Sequence, residues 1–260
     1  THKLRGKFAG PWACSVGYDL RIVFEFVKSA SQPEDDILLL EIATHLRLDV
    51  QALRMRWGQP FDLGAVEAAL AGGAVDALAW VHHETSTGML NPLAEIAAIA
   101  RRYHVQTYVD AVSSLGGVPV DVEAHGITFC TGSANKAIAS IPGLAFVCGL
   151  REAFEALASV ASRSVYLDLY RHFRYNDRLH QTPNTPAVNL YFALDAALDE
   201  LLAEGLDKRV ERLGALARRL RRGMRRLGLR PFIPERVMSP LLTTVELPVG
   251  FSADEFHERL

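Results

Sequence analysis

Two residues of the 260-residue chain set a chemical question: Asp110, which closes the apolar run TYV, and Lys136, 26 positions later in TGSANK. A carboxylate at a strand end with no basic neighbour in sequence needs a cationic partner or solvent, and a protonated ring nitrogen would serve. A lysine beyond a small-residue turn becomes a nucleophilic amine where partial burial or a nearby cation lowers its pKa. An aldehyde cofactor fits that pairing. Pyridoxal phosphate demands both partners, a lysine for its Schiff base and an acid against its pyridinium nitrogen. Taken singly, each residue has a plainer role: the aspartate as a cap or turn residue, the lysine as a solvated surface charge.

Other reactive side chains narrow the choice. His82 and His83 are adjacent on an expected strand, so they point to opposite faces and cannot both ligate one ion without a break in it. A structural or hydrogen-bonding role is expected for them. Ser113 and Ser114 lack the G-x-S-x-G surroundings of a nucleophile elbow and are expected to shape the turn after Asp110. Cys14, Cys130 and Cys148 are odd in number and have neither CxxC nor Cys/His ligand spacing. No disulfide framework or metal site is expected, and a reducing cytoplasm fits best.

The elements that must position these residues alternate between two periods. DLGAVEAALAGG (62–73) reads as a helix with Asp62 as N-cap, VDALAWVHH (75–83) as a buried strand, NPLAEIAAIARRYH (91–104) as a helix with Pro92 near its first turn, and VQTYVDAV (105–112) as a strand. ITFCTGS (127–133) and LAFVCGL (144–150) add two more strands. An α/β fold follows, with one mainly parallel sheet over about residues 75–150 and helices on its faces. HHETSTG (82–88), VDAVSSLGG (109–117) and TGSANK (131–136) then end strands on the side where ligands of such sheets gather. Two long helices are expected downstream, AVNLYFALDAALDELLAEG ending at Gly205 and DKRVERLGALARRLRRGMRRLG. The second has an apolar stripe of Val210, Leu213, Leu216, Leu220, Met224 and Leu227, with arginines on the solvated remainder. LLTTVELPVG followed by SADEFHERL reads as a strand and the start of a helix. The expected division is a large domain over residues 1–205 and the start of a smaller α+β domain over 206–260. Before residue 57 only a strand at ILLL (37–40) is expected.

Composition excludes several classes of partner. With 49% hydrophobic residues, 22% charged residues and a formal net charge of −2, the chain reads as a globular protein without a field to recruit nucleic acid or an anionic membrane. No apolar stretch reaches membrane-spanning length, and THKLRGKFAG lacks the apolar core of a signal peptide. A small-molecule partner and a cytoplasmic location are expected.

The order HETSTG, VDAVSSLGG, SANK, PG resembles the class V aminotransferases of the fold-type I pyridoxal phosphate enzymes, over about residues 57–190. VHHETSTGMLNPL and SANKAIASIPG are most similar to the 2-aminoethylphosphonate:pyruvate aminotransferase branch of that family. The resemblance implies a homodimer with shared active sites, an amino donor and a keto-acid acceptor. It further implies that Lys136 carries the cofactor and shuttles the proton, and that Asp110 holds the pyridinium proton. Thr85 would lie by the cofactor ring oxygen, Val112 under the ring and Asn135 by the phosphate, and Thr185 in QTPNTPAV would reach the phosphate across the dimer interface. The alanine or serine:glyoxylate aminotransferases share the first two segments and are the nearest rival. Cysteine desulfurase fits less well, because its usual histidine before the lysine is Asn135 here. A rival of another class is a noncatalytic dimeric scaffold or inactive fragment. Two departures favour it: AGPWACSVGYDL (9–20) matches the family's phosphate-binding turn poorly, and the chain ends before the family's carboxylate-binding arginine. Trp12 and Tyr18 are the candidates for the ring-stacking aromatic. The N-terminal part reads as shortened and the sequence as an incomplete record.

Overall fold

The computed structural model describes residues 21–28, as backbone only, and residues 48–73, 75–248 and 250. Six strands form the main sheet: β1 (Arg21–Lys28), β2 (Asp49–Arg56), β3 (Ala77–Val81), β6 (Gln106–Asp110), β7 (Phe129–Ser133) and β8 (Ala145–Gly149), in the order β2-β1-β3-β6-β7-β8. All neighbours are parallel except β8, which runs antiparallel to β7. The expected mainly parallel sheet is therefore present, and it extends by β1 and β2 beyond the strands read from sequence. The expected strand at ILLL lies outside the described residues, as do the phosphate-turn segment 9–20 with Trp12 and Tyr18, and the expected helix after residue 250.

Helices α1 (Leu63–Ala71), α2 (Leu93–Arg102) and α3 (Val122–His125) connect the parallel strands. Asp62 caps α1 as its sequence requires, accepting from the Gly64 and Ala65 N–H groups at 3.0 and 3.1 Å. Leu93, Ile96, Ala97, Ile99 and Ala100 give α2 its buried stripe. They pack with Leu78, Trp80, Val109, Ile127 and Cys130 into the principal apolar core. A two-residue pair, β4 (His83–Glu84) with β5 (Met89–Leu90), lifts the 85–88 turn off the end of β3. Gly88 closes it at φ +75 with a hydrogen bond to Glu84 O.

Beyond β8 come α4 (Arg151–Ala156), α5 (Leu169–Leu179), α6 (Val188–Glu204) and α7 (Leu206–Arg226), then β9 (Arg230–Pro231) paired antiparallel with β10 (Val245–Glu246). The apolar stripe expected on α7 needs correction. Val210, Leu213 and Met224 are half-buried, but Leu216 and Leu220 are 53% exposed and Leu227 is 79% exposed. The fully buried positions are Ala217 and Arg221. The guanidinium of Arg221 turns the helix: it donates to Thr243 Oγ1 at 3.0 Å, Ser239 O at 2.5 Å and Leu242 O at 3.4 Å. A buried charge with three acceptors sets the helix face where leucine spacing alone would have chosen another.

Candidate cofactor and active site

Parallel register brings three sequence segments to one edge. Val81 and Asp110, the last residues of β3 and β6, are cross-strand partners, and Asp110 pairs in turn with Thr131 in the middle of β7. Backbone bonds continue the stitching past the strands, from His82 N to Asp110 O at 2.9 Å and from Ala111 N to Thr131 O at 3.1 Å. Asp110 Oδ1 accepts from the N–H of Val112 at 2.9 Å. Burial raises the Asp110 pKa, Glu84 adds to the rise, and the Val112 bond opposes it. Among the described residues no cation pairs with this carboxylate.

The histidines support this shelf. Ser114 Oγ gives its one proton to Ala111 O at 3.2 Å, so the 3.0 Å contact with His82 Nδ1 is donated by the imidazole. His83 Nδ1 donates to Ser113 O at 2.9 Å, which leaves Nε2 as an acceptor, buried and without a partner among the described residues. Burial lowers the pKa of both rings, that of His82 to about 4 with help from His83 and His125. Both are neutral hydrogen-bonding groups at neutral pH, and Ser113 and Ser114 do shape the turn after Asp110.

Lys136 lies three residues past the end of β7, in a loop that returns as β8. Ala134 N donates to Leu144 O, Ser140 N to Ala134 O and Ala139 N to Lys136 O, with Ala139 at φ +67. The sequence reading asks for partial burial or a nearby cation at Lys136; its side chain is exposed, and among the described residues its ammonium has no hydrogen bond or ion pair. Next to it, Ser133 Oγ donates a short bond to Asn135 Oδ1.

Contacts distant in sequence hold this loop. Arg209, on α7, donates to Ala137 O at 2.8 Å while Glu204 accepts from the same guanidinium at 3.3 Å. A Cβ at Gly117 would stand 2.6 Å from Leu241 Cδ2 and 2.8 Å from the Cβ of Ala137, so only glycine fits between them. Sequence reading missed Arg209 and Leu241, which carry no motif; the glycine pair of VDAVSSLGG was the one visible signal.

Of the remaining sequence-predicted residues, Val112 is half-buried beside Asp110, and Thr85 is exposed in the 85–88 turn. Thr185 is exposed between α5 and α6. Register thus sets Asp110 and Val112 at one edge of the sheet, with Thr85 in the turn beyond β3 and Asn135 and Lys136 in the loop beyond β7. Among the described residues no group of three or more His, Cys, Asp and Glu side chains could hold a metal ion, and no helix is long and apolar enough to cross a membrane.

Residues 36–251 match the model of the aminotransferase class-V family. The chain belongs to that family. It is 37% identical over 213 residues to an uncharacterized aminotransferase of Methanocaldococcus jannaschii, covering 81% of this chain and 54% of that protein. It is 42% identical over 190 residues to a 2-aminoethylphosphonate–pyruvate transaminase of Klebsiella pneumoniae, covering 72% and 52%. The chain therefore spans about half the length of these relatives. Among solved structures, the alanine–glyoxylate aminotransferase of a Nostoc species superposes with a TM-score of 0.85 at 27% identity, over 94% of this chain and 64% of that one.

The fold is that of the fold-type I aminotransferases, and pyridoxal phosphate is the cofactor of the family. The residues present fit it. A half-buried carboxylate at the end of β6, with no cation partner among the described residues, is complementary to a protonated ring nitrogen, and the exposed amine of Lys136 is open to an aldehyde.

Proposed function

We propose that the protein to which this chain belongs is a pyridoxal phosphate-dependent aminotransferase that moves the amino group of 2-aminoethylphosphonate to pyruvate, giving phosphonoacetaldehyde and alanine. The observation that carries the reading is the half-buried Asp110 carboxylate, without a cation partner among the described residues, in register with the strand that runs into Lys136. When bound, pyridoxal phosphate supplies a sink for the electrons left at the substrate carbon after proton loss. Asp110 would hold the proton of the ring nitrogen. Lys136 Nζ would hold the cofactor and would then carry the proton at the substrate carbon. Thr85 and Val112 would orient the ring, and Asn135 would hold the phosphate from one subunit. Thr185 would serve the neighbouring subunit of a cytoplasmic homodimer, which suits its exposure. Residues 1–205 form the cofactor-binding domain and 206–260 open the smaller one.

The phosphonate substrate rests on VHHETSTGMLNPL and SANKAIASIPG and on relatives of that name at 39–42% identity. Alanine or serine with glyoxylate is the second reading, favoured by the superposition on the Nostoc enzyme. The test is a visible absorption spectrum with added pyridoxal phosphate, before and after borohydride, with Lys136→Ala alongside. A band that borohydride fixes to the wild type alone supports the assignment, and an amino-donor panel then separates phosphonate from carboxylate donors. Absence of any lysine-dependent band would favour a noncatalytic scaffold.

A further inference from the structure

Cys130 and Cys148 were unremarkable in sequence, yet they are direct partners across the antiparallel β7–β8 pair. Directly opposed residues share a face and have Cα atoms about 4.5–5.5 Å apart, inside the roughly 4.4–6.8 Å that a disulfide spans. Both thiols are free. Cys130 is 1% exposed in the principal core; Cys148 is half-buried at its margin. The transamination proposed above uses neither, since Asp110 and Lys136 lie at the strand ends.

We propose that Cys130 and Cys148 form an oxidative modification site for peroxide-class oxidants, closing reversibly into an intrachain disulfide that fastens β7 to β8 behind the Lys136 loop. The half-buried Cys148 thiolate attacks one peroxide oxygen; the O–O bond breaks, hydroxide leaves, and Cys148 becomes a sulfenic acid. Cys130 then attacks that sulfur, the S–O bond breaks, and a second hydroxide leaves. The two thiol protons convert both hydroxides to water, so two thiols are oxidised and one peroxide is reduced. The roles follow from exposure, because Cys148 is half-buried and Cys130 is buried, and the neighbouring thiol lowers the pKa of Cys148 while Cys148 and burial raise that of Cys130. The disulfide joins the two feet of the loop that carries Lys136 and removes freedom from the unfolded chain.

The test uses the full chain as wild type and as Cys14→Ser, reduced and then exposed to hydrogen peroxide. Expected are loss of two titratable thiols, a mass lower by two hydrogen atoms, a crosslinked peptide joining residues 130 and 148, a raised Tm, and full reversal by dithiothreitol. In Cys130→Ser, dimedone should capture a sulfenic acid on Cys148. Oxidation confined to Cys148 in the wild type, with Cys130 still free, would overturn the proposal. So would survival of both thiols at peroxide levels that oxidise free cysteine. These outcomes are read without cofactor and stand apart from the transaminase reading.

Discussion

The two sides of the candidate site are built differently. Around Asp110 nearly every polar group is satisfied by near neighbours in register: Val112 N–H on the carboxylate, His82 N–H on the Asp110 carbonyl, Ser114 between His82 and Ala111. Around Lys136 the amine is exposed, and its loop is held from a distance by Arg209 and by the Gly117–Leu241 contact. The acid is fixed by its own strand and the next, and the amine by elements from the far end of the chain. An acid that must meet a ring nitrogen gains from a rigid setting. An amine that must move a proton between two carbons gains from a loop with freedom at its tip.

The sharpest way to separate the sides is to remove each reacting group. Lys136→Ala should lower transamination by about 10²–10⁴-fold or more, with little change in Tm because the side chain is exposed. Asp110→Asn should lower it by about 10²–10³-fold and yet raise the Tm of the cofactor-free chain at pH 7. The sign follows from the raised pKa: an acid harder to ionise folded than unfolded costs stability once pH passes its unfolded value. The gain should vanish in acid, and a variant no more stable at pH 7 would break the contrast.

His82 tests the same side from the opposite sign. Its folded pKa, near 4, lies below the ordinary 6.5, so stability should be full above pH 6.5 and fall by up to about 3 kcal/mol as pH drops to 4. In His82→Asn, whose amide can still donate to Ser114, thermal melts should be flatter over that window.

On the lysine side, Gly117→Ala should cost about 1–3 kcal/mol by overpacking against Ala137 and Leu241, with partial recovery in Gly117→Ala/Leu241→Ala. Arg209→Met should cost about 1–2 kcal/mol by stripping Ala137 O of its donor. It should also broaden the cofactor band without abolishing borohydride fixation. An unchanged band would mean that the loop sets its own shape.

What the sequence disclosed follows the same division. The Asp62 cap, the α2 stripe and the strands through Asp110 and Cys148 were legible because each is decided by short-range periodicity. β2 was not, because its half-exposed DVQALRMR lacks the continuous apolar run of the buried strands. The α7 face was misread because leucine spacing says nothing of three acceptors gathered around Arg221. Asp110 and Lys136 were found from residue type and position. Arg209 escaped because its bond spans 72 residues, and Cys130 with Cys148 because opposition across a hairpin does not show as a spacing motif.

The reversal of β8 has a kinetic meaning. Strands β3, β6 and β7 must each wait for a crossover before they can pair, whereas β7 and β8 are joined by one return loop and can zip locally. The hairpin bearing Lys136 is therefore expected to gain amide protection in pulse-labelled refolding before the parallel strands that bring Asp110 to its side. The chain would assemble its amine first and build the acid's surroundings against it.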